Sequence, residues 1–211
     1  MKPLPIGIQT FEKIVSKNMV YVDKTELIYE LAQKDYLFLS RPRRFGKSLL
    51  ISTLQAYFEG RKELFKGLKI EQLEKDWTEY PVVNLSLAKC KSKQLDVIVK
   101  FVSIALSELE VQFGIIDKAE QPDDNKQPNI NFNTRFERII KTAHAKTGKQ
   151  VVLLIDEYDT LMRISSAKFL TQTPPKRLNS IIKTFCTPYS PLVVSTSRQK
   201  SAPRRGALTS L

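Results

Sequence analysis

Gly46, Lys47 and Ser48 have the types and the order that phosphate binding requires. A glycine lets backbone N–H groups approach a phosphate, a lysine reaches the β- and γ-phosphates of a nucleotide, and a serine hydroxyl can hold Mg²⁺. An apolar run at 36–39 precedes them and a helix-forming stretch follows, which predicts a strand, a turn and a helix. The positive end of that helix would face the anion. The sequence therefore predicts a phosphate-binding loop.

The match to the usual loop pattern, G-x-x-x-x-G-K-[ST], is incomplete because Arg41 stands where the first glycine belongs. Arginine adopts a positive φ less readily than glycine, so the chain cannot follow the ordinary path into the loop freely. Taken alone, the motif leaves open an ordinary loop before a surface helix. In the functional alternative, phosphates are held by the backbone of Arg44 and Phe45 together with Gly46, Lys47 and Ser48.

A second candidate element is the apolar run at 151–155, which is followed by Asp156 and Glu157. A continuous run of Val, Leu and Ile predicts a strand buried on both faces. Acids at its carboxyl end would lie at the sheet edge where open α/β folds bind ligands. Asp156 is placed to hold Mg²⁺, directly or through water, and Glu157 to orient or deprotonate a water that attacks the γ-phosphate. The alternative is a core strand followed by a turn, but the two motifs together favour a nucleoside triphosphatase.

Several further short segments carry a specific resemblance. They are Leu4-Pro5-Ile6-Gly7, Phe11-Glu12, Tyr21-Val22-Asp23-Lys24-Thr25, the stretch 40–48, Tyr57-Phe58-Glu59-Gly60 and Asp156-Glu157-Tyr158-Asp159. With these segments, residues 1–162 resemble the AAA-ATPase-like family of bacterial proteins. The loop of that family has the form S-R-P-R-R-F-G-K-S, so Arg41 is a family trait.

The resemblance implies a P-loop ATPase domain that binds ATP and Mg²⁺. It implies Ser48 and Asp156 as the groups that hold the metal and Glu157 as the catalytic residue, and it supports ATP binding more firmly than turnover. Longer members carry a nuclease domain of the PD-(D/E)XK type after the ATPase domain, and we expect this chain to lack it.

The order of strand and helix patterns predicts an α/β fold. Strands at 36–40, 82–87 and 150–157 alternate with helices at 47–58, 94–113 and 131–146. This alternation predicts a P-loop NTPase-like, mostly parallel sheet with helices on both faces. We expect one such domain at 1–162 and a separate segment at 163–211.

The segment 163–211 is the part of the fold that the sequence leaves most open, and we expect the sheet to be incomplete there. Residues 192–194 could form a remaining strand, with Ser195 or Thr196 as a polar sensor residue. The alternative is a divergent end, partly or wholly disordered. A missing strand beside Asp156 would leave an unpaired sheet edge.

Charge is distributed unevenly. All 22 acidic residues lie in 1–162, whereas nine of the 34 Lys and Arg residues lie in 163–211. A basic segment without acids predicts non-specific binding to nucleic-acid phosphates, or else a solvated, unfolded segment. Two other functions therefore stay open: a nucleic-acid-binding or scaffolding module without turnover, and an inactive fragment of a longer ATPase-nuclease.

The composition, with 42% hydrophobic and 27% charged residues over 211 positions, is that of a globular protein. No apolar run of 18 residues and no secretion signal is present, so we expect a cytoplasmic protein with no membrane partner. Cys90 and Cys186 are expected to be reduced thiols. We expect Trp77 to pack against the core edge, with adenine stacking as the alternative.

Overall fold

The computed structural model describes residues 1–34, 36–41, 45–88, 90, 92, 94–115, 132–156 and 192–198. Only the backbone is described at 36, 38, 40, 41, 95, 132, 133 and 192–198. In chain order, the helices and strands are α1 (Phe11–Ser16), α2 (Thr25–Ala32), β1 (Tyr36–Arg41), α3 (Lys47–Phe58), α4 (Ile70–Leu73), β2 (Val82–Ser86), α5 (Leu95–Gln112), α6 (Phe132–Thr147), β3 (Val152–Asp156) and β4 (Leu192–Arg198). A 3-10 helix, Lys62–Phe65, lies between α3 and α4.

The four strands form one parallel sheet in the order β1-β4-β3-β2. The last of the described strands therefore lies between β1 and β3. Its residue Val193 pairs with Tyr36 of β1 on one side and with Leu153 of β3 on the other. The prediction of a parallel α/β sheet is confirmed. The strand proposed at 192–194 is present and extends to Arg198, so β3 has a neighbour on both sides.

The sheet is covered by helices on both faces, as the sequence predicts. Side chains of β2 and β3 alternate between two cores because successive residues of a strand point to opposite faces. Val83, Leu85 and Leu153 pack with α5 and α6, whereas Val82 and Leu154 pack with the helices from α1 to α4. Burying one such side chain stabilises the fold by roughly 1.5–3 kcal/mol. Burial on both faces explains why β3 reads as a continuous apolar run.

Asp23 connects the start of α2 to the chain before α4. Its Oδ1 accepts hydrogen bonds from the N–H and the hydroxyl of Thr25, at 2.9 and 2.7 Å, and its Oδ2 accepts one from the N–H of Lys69 at 2.9 Å. Asp23 thus bonds to the first residue of α2, whose N-cap position is Lys24. The carboxylate of Glu26, in the first turn of α2, bonds to the ammonium of Lys69 at 2.9 Å. This long-range partner binds the first turn of α2 to the chain before α4.

Trp77 lies in an aromatic cluster at the C-terminal end of α3. Its ring is 5.9 Å from that of Tyr57 and 5.2 Å from that of Phe65, measured between centroids. Ten residues of helix separate Tyr57 from Lys47, or about 15 Å. The prediction that Trp77 packs against the core edge is confirmed, and adenine stacking stays an untested alternative.

Candidate functional site

The start of α3 is shaped by Gly46. This residue has φ +71° and ψ +22°, in the left-handed region that glycine enters without a Cβ penalty. An added Cβ would meet no atom within 4 Å. Glycine is therefore favoured here by the backbone conformation and not by a lack of space for a side chain. Gly46 has no side chain to cap the first N–H groups of α3. The positive end of a helix attracts anions through its first N–H groups.

Lys47 is the first residue of α3 and is only 7% exposed. A lysine is rarely buried to this degree unless anionic groups surround it. Phe45 is 62% exposed, so its contribution to phosphate binding would come from its backbone, as predicted. The structure thus places a buried cation at the positive end of a helix.

Ser48 and Asp156 meet although 108 residues separate them. The hydroxyl of Ser48 donates a hydrogen bond of 2.8 Å to Oδ2 of Asp156. Asp156 is the last residue of β3 and is 2% exposed. A hydrogen bond to a carboxylate is stronger than one between neutral groups, and burial strengthens it further. The two sequence motifs therefore form one site at the carboxyl end of the sheet.

The spacing of these two oxygens fits a divalent cation. Mg²⁺ binds six oxygens at 2.0–2.1 Å in an octahedron, whose adjacent ligands are about 2.9 Å apart. Ser48 Oγ and Asp156 Oδ2 are 2.8 Å apart. Within the described residues, no group of three or more His, Cys, Asp or Glu side chains converges. A serine hydroxyl and a carboxylate could serve as two adjacent oxygen ligands of such an ion.

The pair is positioned by the packing of α3 on β3. Ile51 and Leu54 are buried in the same core as Leu154.

Two hydrogen bonds also fix the position of α3 beyond its first turn. The N–H of Phe11 donates to the Ser52 hydroxyl at 2.9 Å, and the Asn84 amide of β2 donates to Oε1 of Gln55 at 2.7 Å. The orientation of α3 is therefore set by polar contacts to α1 and β2 as well as by its apolar face.

Other predicted site residues are only partly described or lie outside the described residues. Arg44 and Glu157 are outside them. The backbone of Arg41 ends β1, in register with Arg198. These roles stay predictions.

The two sensor candidates lie on β4 and are described by their backbone register alone. Ser195 pairs with Phe38 on one side and with Ile155 on the other, and Thr196 pairs with Leu39. Both therefore occupy the strand between the phosphate-loop strand and the strand of Asp156. Apart from β4, the basic segment 163–211 lies outside the described residues, so nucleic-acid binding also stays a prediction.

One residue near the site was missed by the sequence analysis. Ser86 ends β2 and is in register with Asp156. The available signal was a polar residue that closes a mostly apolar strand, as Asp156 does.

None of the described helices is long and apolar enough to cross a membrane.

These features define a parallel α/β domain with a buried lysine at a helix start and a hydroxyl–carboxylate pair at the carboxyl end of the sheet. The family described as Predicted AAA-ATPase matches residues 5–191, and the chain belongs to this family. The resemblance found in the sequence is thereby confirmed. Membership indicates a nucleotide-binding domain.

A relative from Azotobacter chroococcum mcd 1, named "Uncharacterized protein in vnfD 5'region", is 38% identical over 161 residues. The matched region is 75% of this chain and 29% of the relative, so the chain spans less than a third of that protein.

Proposed function

We propose that the chain is a P-loop NTPase domain that binds ATP with Mg²⁺ and hydrolyses it. The single observation that carries the proposal is the hydrogen bond from Ser48 to Asp156, which joins the Gly-Lys-Ser motif to the acid of the apolar strand at 2.8 Å. A chance Gly-Lys-Ser before a surface helix would have no reason to meet that acid. The fit of the two oxygens to adjacent Mg²⁺ ligands adds to it.

The strand order supports the same fold. Gly46, Lys47 and Ser48 follow β1, Asp156 ends β3, and only β4 lies between these two strands. In parallel α/β sheets, ligands bind at the carboxyl ends of the strands. A triphosphate at this edge would contact the start of α3 and lie beside Asp156.

Each residue would contribute by charge and position. The backbone from Arg44 to Gly46 and the Lys47 ammonium would bind phosphate oxygens, since both present N–H donors to an anion. Ser48 and Asp156 would hold Mg²⁺, which when bound neutralises charge that develops on the phosphates. Glu157, one residue beyond Asp156, would position the attacking water. Phosphoryl transfer depends mainly on such positioning and charge stabilisation, so these few groups can support slow hydrolysis.

The test is the thermal stability of the full chain with and without Mg-ATP. A ligand at 100 times its Kd, bound only by the folded state, stabilises a protein by about 2.7 kcal/mol. For a chain of this size, that is a shift of roughly 5–10 °C in Tm. The chain has one tryptophan, Trp77, which is in the core cluster and can report unfolding by fluorescence.

The decisive variant is Lys47→Ala, with Lys17→Ala as its control because Lys17 is exposed on the N-terminal side of the structure. We expect the shift to be lost in Lys47→Ala and kept in Lys17→Ala. An equal shift in both variants would end the assignment of Lys47 to phosphate binding.

A further inference from the structure

We infer that Ser86 is a further residue of the site and that its hydroxyl holds the water shell of the Mg²⁺ ion beside Asp156. The inference rests on the proposed function. Its first support is the register: Ser86 and Asp156 are paired across β2 and β3. Neighbouring strands lie about 4.8 Å apart, so the two residues are direct neighbours at the carboxyl edge.

The two side chains also share a face of the sheet. Val82 and Val152, paired four residues earlier, both pack in the core formed with α3. Since side chains alternate with a period of two, Ser86 and Asp156 lie on that same face. This is the face on which Ser48 donates its hydrogen bond to Asp156. Ser86 and Asp156 are thus neighbours on the face of the sheet where Ser48 bonds to Asp156.

The backbone around Ser86 is fixed. The N–H of Leu87 donates a hydrogen bond of 3.1 Å to the carbonyl oxygen of Asp156, and Leu87 itself is 1% exposed. The residue before Ser86, Leu85, is also 1% exposed. Ser86 is therefore held between two anchored residues, and its position relative to Asp156 is set by the sheet and not by a free loop.

The difference in exposure between Asp156 and Ser86 indicates the role of Ser86. Asp156 is 2% exposed, whereas Ser86 is exposed. A serine buried in this core would serve to satisfy a packing contact, but an exposed one beside a buried carboxylate faces the solvent side of the site. A hydroxyl both donates and accepts hydrogen bonds, which suits a water molecule bound to a metal. Mg²⁺ keeps several waters in protein sites, and residues that bind such outer groups tune metal affinity.

The test is the Mg²⁺ concentration that gives half of the ATP-induced rise in Tm, at saturating ATP. Loss of an outer-shell partner typically costs 10–100-fold in metal affinity. We expect this midpoint to rise about tenfold or more in Ser86→Ala and to return towards wild type in Ser86→Thr, which keeps the hydroxyl. Ser16→Ala, which removes an exposed hydroxyl on α1, is the matched control and should leave the midpoint unchanged.

A second reading, taken with ATP and EDTA, separates the metal from the nucleotide. We expect Ser86→Ala to keep the wild-type shift without Mg²⁺. An unchanged Mg²⁺ midpoint would overturn the inference, and so would an equal loss of the shift with and without Mg²⁺, which would assign Ser86 to nucleotide contact or packing. The proposed function fails separately, if Lys47→Ala binds Mg-ATP as wild type does.

Discussion

The hydroxyl of Ser48 and the carboxylate of Asp156 are joined by a 2.8 Å hydrogen bond that links the first turn of α3 to the end of β3. This contact joins the helix that follows β1 to the end of β3, and β4 lies between those two strands. It also brings together two oxygens that the proposed function assigns to the same metal ion. The pair therefore contributes to stability as well as to the proposed chemistry.

A double-mutant cycle measures this contribution. Hydrogen bonds to charged groups contribute about 1.5–3 kcal/mol. We expect Ser48→Ala and Asp156→Ala to be coupled by an energy in this range when unfolding in urea is followed by Trp77 fluorescence. Ser48→Ala combined with Thr78→Ala, an exposed residue near the other end of α3, should be additive within about 0.5 kcal/mol. Additivity of the first pair would show that the hydrogen bond contributes nothing in solution.

Gly46→Ala should reduce both stability and nucleotide binding. A side chain at a positive φ costs about 1–2 kcal/mol, and relief of that strain would move the N–H groups that face the phosphates. Gly67→Ala is a matched control, since Gly67 has φ +78° and an added Cβ there also meets no atom within 4 Å. Gly67→Ala should lose similar stability and keep the Mg-ATP shift in Tm. Loss of that shift in both variants would remove any special role of Gly46.

Glu157→Gln should spare binding and abolish hydrolysis. The amide has the size of the carboxylate but cannot accept a proton from water, so the chemical step should slow by about 10²–10⁴-fold. Phosphate release measures the turnover and the Mg-ATP shift in Tm measures the binding. Turnover equal to that of the wild type would exclude Glu157 as the residue that activates water.

The stability of the fold should fall in acid partly through Asp23. Burial alone would raise the pKa of this carboxyl group, but hydrogen bonds from Thr25 and Lys69 outweigh it and hold the pKa below its usual value of 3.8. A depressed pKa stabilises the folded state above the unfolded pKa, and this contribution is lost as pH falls through the folded pKa. The loss therefore begins near pH 4 and proceeds below it.

Asp23→Asn checks this prediction. The amide keeps one acceptor but loses the charge, so we expect a loss of about 1–2 kcal/mol at pH 7 that shrinks below pH 3.8. The exposed Asp76→Asn is the control and should show no such dependence. Urea unfolding at a series of pH values gives both free energies. A deficit in Asp23→Asn that stayed constant from pH 7 to pH 2 would contradict the argument.

The elements with strong periodicity were predictable from the sequence. The bounds of α3 are those predicted. Helices α5 and α6 differ from prediction by one residue at each end, because each has a long apolar stripe whose spacing needs no tertiary information. The Gly-Lys-Ser loop and Asp156 were predictable because their residue types are tied to one chemistry. Their contact follows once both strands are parallel.

The rest depended on contacts between distant parts of the chain. The position of β4 in the sheet is set by its pairing with β1 and β3. The Ser- and Pro-rich sequence around β4 has no periodicity that reveals this position. The bond from Lys69 to Asp23 spans 46 residues, and no local rule predicts it. Ser86 was missed because a serine at the end of a strand has the same appearance in sequence as the start of a turn. Its place beside the candidate site is visible only from its pairing with Asp156 across β2 and β3.

The place of β4 in the sheet has a consequence for how this protein is made. Ribosomal synthesis delivers β1, β2 and β3 first, but β1 gains its only described partner when the chain reaches Leu192. Until then one edge of β1 and one edge of β3 are open, and open edges are templates for aggregation. A nascent chain stalled before this point would have the residues of both motifs but no strand to join β1 to β3.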